Sequence, residues 1–391
     1  MRRLHVTSAF ILLTQFACAQ AVRNKQDLDT LMQQLGKKFM DMPRSEGLSI
    51  GIYNNGNSNF YNFGSTGNDK PSTPTKHTIF EIGSITKTFA SYLLARAAIE
   101  NRLNLSDDIR KYIKGEYPNL EFAGKPIQLL HLANTTSGLP DWIPAEADAI
   151  KNAPPDSVPF IRTRIYGSYK EIDFFNALHR VKLDTLPGTK AKHSNGAAQL
   201  LAYILEKVYQ MTFEKMIKQY ILTPNGMDET FFDIPDSKKA QLAQGYNASG
   251  ILMPAEFRKP YFRSMGGLQS SSSDLVKYIK LQLSKKDPIT TTVHTHTVDI
   301  DVQTGKPVAL LPDSLLNDRV YSIGMNWFKY RPEKRNTQIW SDGSTSGFCS
   351  YIVMYPGFNC GIVLLTNKSD EKTFSALPTM AYEIFKFLKP D

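Results

Sequence analysis

The sequence predicts an α+β protein in which a sheet assembled from N- and C-terminal segments is interrupted by an all-helical insertion. Apolar alternation at period two brackets a turn at residues 54–57, helical periodicity takes over from Ser84, and alternation returns from Tyr321. The sheet part then covers about 22–83 and 285–391, and the helical part about 84–284.

Each element has its own signal. Leu28, Leu31, Leu35 and Phe39 recur at helical spacing within Asp27–Asp41, the opening helix. Leu48–Tyr53 and Asn59–Phe63 alternate around Asn54-Asn55-Gly56-Asn57, and an Asn-Gly pair suits a tight hairpin turn. Helices are predicted over Ser84–Asn101, Ile127–Ala133, Ile172–Val181, Asn195–Tyr209, Phe213–Leu222 and Ser273–Leu283. The polar, Thr-rich stretch from Asp287 to Leu316 is read as an excursion outside the common core. Strands follow over Ser322–Tyr330 and Thr337–Trp340, and Phe374–Leu388 closes the chain as a helix. Between them, Phe348–Tyr355 and Cys360–Thr366 form a hairpin turned at Pro356-Gly357-Phe358-Asn359. If Tyr355 faces Cys360, Cys349 faces Thr366, and the two thiols lie too far apart for a disulfide.

Composition narrows the class. A chain of 391 residues with 41% hydrophobic content and 3 cysteines can bury a large core without disulfide or metal staples. Its net charge of +9 is spread in short pairs such as Lys238-Lys239, which is no nucleic-acid footprint. Arg2 and Arg3, the apolar run Val6–Ala17 and Ala17-Cys18-Ala19 make residues 1–19 an export signal, predicting a periplasmic or secreted protein. Lipidation of Cys18 is the minor alternative, because Gln15 and Phe16 make a poor lipoprotein signal. No later segment reads as a membrane span, and a monomer without metal or cofactor is expected.

The chemistry concentrates at Ser84-Ile85-Thr86-Lys87, where a serine opens a helix with a lysine one turn later on the same face. A serine hydroxyl attacks only when something takes its proton, and a lysine in a dry pocket can have its pKa lowered far enough to help. Ser-x-x-Lys alone is weak: Ser369-Asp370-Glu371-Lys372 matches it too, with no chain left for further catalytic elements.

The segments that follow Ser84 are Leu129–Asp141 with Asn134-Thr135-Thr136-Ser137-Gly138-Leu139-Pro140, then Leu186-Pro187-Gly188 leading to His193-Ser194-Asn195. After them come Gly266-Gly267-Leu268 with Ser271–Leu275, and Asp342-Gly343-Ser344-Thr345-Ser346-Gly347-Phe348. In order and spacing the chain resembles the class C β-lactamase type of serine hydrolases, a group with penicillin-binding proteins, D-Ala-D-Ala peptidases, D-amino-acid amidases and esterases, from about residue 25 to its end. The resemblance implies a β-lactamase/transpeptidase-like fold: an antiparallel sheet flanked by helices, an all-helical domain, and the site between them. It implies Ser84 as the acylated nucleophile, Lys87 as base or base-assistant, Asn195 as a substrate-backbone ligand, and the N–H groups of Ser84 and Ser344 as oxyanion hole beside Gly343.

The chain departs from that pattern twice. His193 stands where a tyrosine shuttles the proton to the leaving group; imidazole can do this, though with a shorter reach. Ser341 stands where a lysine or histidine would meet a substrate carboxylate, which disfavours penicillin hydrolysis and favours a neutral amide or ester, or a carboxylate bound by some other Arg or Lys. Tyr166 and Tyr169 are the alternatives to His193, and Asp141 and Trp142 are read as lining or packing the cleft. His294, His296, Asp299 and Asp301 are read as a polar hairpin rather than a metal site, and His131 as a satisfied core histidine. The expected function is an exported serine hydrolase acting on a D-amino-acid peptide, amide or β-lactam-like small molecule; the alternatives are a carboxylesterase and a non-catalytic wall-binding protein.

Overall fold

Asn55 and Gly56 take left-handed φ values of 48° and 94°, which closes the first hairpin as its Asn-Gly pair predicts. The computed structural model describes residues 25–69, 71–257, 262–304, 306–308, 310, 319–331 and 337–389, so the export signal and Cys18 lie outside the described residues. The chain runs α1 (25–40), β1 (Leu48–Asn54), β2 (Asn57–Phe63), β3 (Ile79–Glu81), α2 (Thr86–Ile99), β4 (Glu121–Phe122), β5 (Lys125–Pro126) and α3 (Leu129–Ala133). Next come α4 (Asp148–Lys151), α5 (Val158–Tyr166), α6 (Glu171–Leu178), α7 (Asn195–Tyr209), α8 (Phe213–Ile217), β6 (Tyr246–Asn247), α9 (Arg263–Gly266), β7 (Gln269–Ser271) and α10 (Ser272–Gln282). The last stretch holds α11 (Pro288–Val293), β8 (Val298–Asp301), β9 (Pro307–Val308), β10 (Val320–Gly324), β11 (Trp327–Tyr330), β12 (Gln338–Ser344), β13 (Cys349–Tyr355), β14 (Cys360–Thr366), β15 (Lys368–Ser369) and α12 (Glu371–Leu388).

Strands from both ends of the chain join in one sheet, ordered β2-β1-β14-β13-β12-β11-β10-β8-β9 with every neighbour antiparallel. Period-two alternation loads both faces. Ile50, Val353, Ile362 and Leu364 pack against Met32 of α1 and Ile384 and Phe385 of α12. Ile352, Met354, Val363 and Leu365 face the other way, onto the core containing Val276 and Ile279 of α10 and Phe89 and Leu93 of α2. The last hairpin keeps the predicted register, with Tyr355 opposite Cys360 and Cys349 opposite Thr366, and both thiols are buried and free.

Helix α2 is the axis of the molecule. Thr86 through Ala95 are all buried, so the helix has no solvent face over its first turns. Phe89 stacks on Tyr278 of α10 at 4.1 Å between centroids and 7° between planes, and Thr88 Oγ1 lies 3.0 Å from the Tyr278 hydroxyl. These contacts fix the height at which the Ser84 turn meets the sheet.

The structure corrects the sequence reading in three places. Ser322–Tyr330 is two strands, turned at Met325 and Asn326 with φ of 40° and 62°, a left-handed pair written without the usual glycine. Part of the 287–316 stretch belongs to the sheet, because β8 pairs with β10 and carries β9 on its outer edge. Phe213–Leu222 is not one α-helix: α8 widens into a π turn over Lys218–Leu222. His131 is satisfied as expected: Gln128 N–H donates to its Nδ1 at 3.1 Å, and burial lowers its pKa to about 4. No helix among the described residues is long and apolar enough to cross a membrane.

Truncating Phe89 to alanine removes the ring that couples α2 to α10 and should cost about 3–5 kcal/mol. Urea unfolding should show a lower midpoint at unchanged slope; a loss under about 1 kcal/mol would mean α2 is held by its other contacts.

Candidate active site

Strand β3 delivers the chain into a single tight turn, Gly83–Ile85, that leads directly into α2 and carries Ser84 half-buried at its apex. The turn lies hard against the end of β12. A Cβ on Gly83 (φ 49°) would sit 2.7 Å from the Ser344 backbone nitrogen, and one on Gly343 would sit 2.2 Å from Ile82 O and 2.7 Å from Ser84 N. Only two glycines let these backbones touch, and the contact brings the Ser84 and Ser344 backbones to one end of the sheet.

Lys87 lies one turn further in, with Nζ 2.7 Å from Ser84 Oγ and 2.6 Å from Met265 O. Burial pulls its pKa down to about 7, against the opposing pull of Asp141 and Asp342. Asn326 supports the helix behind it, donating from Nδ2 to Ser91 Oγ at 2.9 Å and to Lys87 O at 3.3 Å. The corrected β10–β11 turn is therefore part of the site's scaffold.

The remaining sequence candidates converge on the same cleft, a cavity of about 470 Å³ lined by Ser84, Lys87, His193, Asn195, Ser341, Gly343 and Ser344. His193 stands at the rim with its side chain 55% exposed, and its Nδ1 lies 2.8 Å from Asp141 Oδ1. The same oxygen accepts from Asn195 N at 3.0 Å. Burial pushes the Asp141 carboxyl up, but the His193 and Asn195 hydrogen bonds and the nearby charges of His193 and Lys87 outweigh it, leaving it below the ordinary value. Ser341 is buried on the floor. Asp342 faces Tyr351 in the register, and burial holds its carboxyl above the usual range, partly offset by His193 and Lys87.

The far wall was not legible in the sequence. Arg162 of α5 donates to Glu146 from Nε at 3.1 Å and Nη2 at 2.9 Å, and its Nη1 lies 3.5 Å from Glu256. Glu256, only 6% exposed, also accepts from Ser346 N at 3.1 Å and Ser346 Oγ at 2.7 Å. Trp142 lines the cleft beneath the Arg162 guanidinium, 5.0 Å from its ring centroid. No short-range pattern links 146, 162 and 256, so only the fold brings them together. Tyr166 stacks on Trp142 at 5.2 Å and lines the adjoining apolar pocket instead of the cleft floor. Ser369 lies in β15 near the Cys349 thiol while Lys372 is exposed, so the second Ser-x-x-Lys forms no dyad. Among the described residues no group is arranged to hold a metal ion. Asp301 instead accepts from the backbone of Gln303 and Thr304, and the His294 ring packs edge-on to Trp327.

Comparison with known proteins gives the family and the fold. The family model described as Beta-lactamase matches residues 32–382. A β-lactamase of Pseudomonas fluorescens is 26% identical, covering 88% of this chain and 94% of the relative, and one of Lysobacter lactamgenus is 26% identical, covering 92% and 93%. A solved β-lactamase/D-alanine carboxypeptidase from Pseudomonas syringae superposes with a TM-score of 0.73 at 22% identity, covering 93% of this chain and all of that one. A serine at the tip of a buried helix, a lysine poised beside it and a family match across nearly the whole chain thus lead to one statement: the protein belongs to the β-lactamase family of serine hydrolases.

Proposed function

We propose that the protein is exported and hydrolyses an amide, in a D-amino-acid peptide, a D-amino-acid amide or a β-lactam-like molecule, through an acyl-enzyme on Ser84. The observation that carries this reading is Lys87 Nζ at 2.7 Å from Ser84 Oγ, in a buried setting that lowers its pKa to about 7, so that about half of the amine is neutral at pH 7. Neutral Lys87 accepts the Oγ proton as the Oγ–carbonyl bond forms. The backbone N–H groups of Ser84 and Ser344 receive the negative carbonyl oxygen, and the Asn195 amide holds the substrate backbone. As the carbon–nitrogen bond breaks, the proton taken from Oγ passes through His193 to the departing nitrogen. Water then attacks the acyl carbon, its proton returning by the same groups and its hydroxyl leaving with the acid. A purely wall-binding protein would have no use for a lysine held against a serine hydroxyl with its pKa brought down to about 7. The export signal read at residues 1–19 supports a periplasmic or secreted enzyme.

Charge in the cleft narrows the substrate. Among the described lining residues, Ser341 brings no cation and Arg162 is already committed to Glu146 and Glu256. A substrate carboxylate would find little there to neutralise it, whereas a neutral amide or ester enters without that penalty. This same feature favours the second reading, a carboxylesterase built on the same residues.

The wild-type protein should be labelled covalently by a fluorophosphonate probe, and Ser84→Ala should abolish labelling and at least about 10³-fold of hydrolysis; an unlabelled wild type sinks the hydrolase reading. Because neutral Lys87 is the working form, kcat/KM should fall about tenfold per pH unit below about pH 7, and a flat acid limb would remove Lys87 from the role of base. Ser341→Lys should raise kcat/KM for a penicillin or a peptide ending in D-Ala relative to a neutral ester by about tenfold. An unchanged ratio would show that position 341 does not govern charge selection.

A further inference from the structure

His193 is the least constrained member of the site. It stands at the cleft rim, more than half exposed, and an imidazole there would ordinarily sample several rotamers. Its Nδ1 is instead held 2.8 Å from Asp141 Oδ1. Resting on the hydrolase reading above, we propose that Asp141 is a positioning residue: it holds the Nδ1–H tautomer of His193 and leaves Nε2 to carry the proton to the leaving group.

The local architecture supports this over a purely structural carboxylate. Asp141 sits in the turn after Gly138-Leu139-Pro140, and besides the Asn195 N–H bond to its Oδ1 that turn is tied to the start of α7 by two contacts that do not use its side chain. Gly196 N donates to Asp141 O at 2.9 Å and Ser194 Oγ donates to Pro140 O at 2.8 Å. Helix α7 has its own cap, Ser194 Oγ accepting from Ala197 N at 3.0 Å. The backbone therefore sets the carboxylate against the imidazole. What the carboxylate adds is orientation: an acceptor on Nδ1–H fixes which ring nitrogen carries the free lone pair. It also adds charge balance, because when Nε2 picks up the proton from the Ser84–Lys87 pair the ring becomes imidazolium, and Asp141 offsets that charge until the proton leaves with the departing atom.

The test uses two esters of one acyl group, an alkyl ester whose leaving alkoxide must be protonated and a p-nitrophenyl ester whose leaving group departs without a proton. kcat/KM reports acylation for both. Asp141→Asn should lower kcat/KM by about 100-fold for the alkyl ester and by less than about fivefold for the p-nitrophenyl ester. In a His193→Ala background the further loss from Asp141→Asn should vanish for both esters, since Asp141 acts through the ring. Equal losses on the two esters, no loss on either, or the same loss with and without His193 would overturn the positioning role and leave a structural one. Should Asp141→Asn fold poorly, Asp141→Ser keeps an acceptor for the Asn195 N–H and carries the same comparison. A wild type inert toward both esters would overturn the hydrolase reading, and this proposal with it, whereas wild-type activity lost in Ser84→Ala keeps that reading standing whatever Asp141 does.

Discussion

Burying one amine is the constraint around which the rest of this molecule is arranged. An ammonium ion taken out of water is costly, and the fold meets part of that cost by letting Lys87 discharge. The penalty has a direction in pH. The folded pKa of about 7 lies below the ordinary value of 10.5, so the destabilisation is full below about pH 7 and fades as pH rises toward 10.5, where the unfolded chain also loses its proton. The fold therefore gives up stability at neutral pH for a lysine that can accept a proton there. Holding it demands a helix with no wet face over its first turns, a carbonyl from Met265 for the amine, and Asn326 bracing the backbone behind it.

The second requirement is a close seam. The nucleophile turn and the end of β12 come from residues some 260 positions apart, yet their backbones touch with no room for a side chain between them. The turn comes off β3, which pairs with β7 in a small sheet of its own, whereas β12 belongs to the nine-stranded sheet, so the contact joins two sheets. The glycines at 83 and 343 thus belong as much to the chemistry as Ser84 does, since any Cβ at either would push the two backbones apart.

How much of this could be read from the sequence follows the range of the interaction. Local periodicity gave the longer helices and two of the hairpins but not α4, α5, α9 or α11; the pairing of Tyr355 with Cys360 needed only a turn and a count. Ser84, Lys87, His193, Asn195, Ser341, Gly343 and Ser344 were found because each sits in a short run of recognisable neighbours, and all of them line the cleft. Met325-Asn326 escaped because its left-handed turn carries no glycine to announce it. Arg162, Glu146 and Glu256 escaped for a different reason: their meeting is a property of packed α5 and two loops, and nothing in the intervening chain encodes it. Asp141 lay between these cases, visible as a residue after a turn but not as the partner of His193.

The two departures from the family pattern then read as one electrostatic change. A phenol shuttles a proton best beside a cation, which favours its phenolate form; an imidazole shuttles best beside a carboxylate, which favours its imidazolium form. A lysine kept at 341 would have left a cation in the cleft with His193, opposing the charged state that the ring would pass through in the proposed proton transfer. Serine there removes the opposition, and Asp141 at 2.8 Å supplies the support. The cost falls on substrate choice, because the cation that served a phenol also served a substrate carboxylate. On this view the proposed proton carrier and the proposed substrate charge are coupled through the charge at position 341.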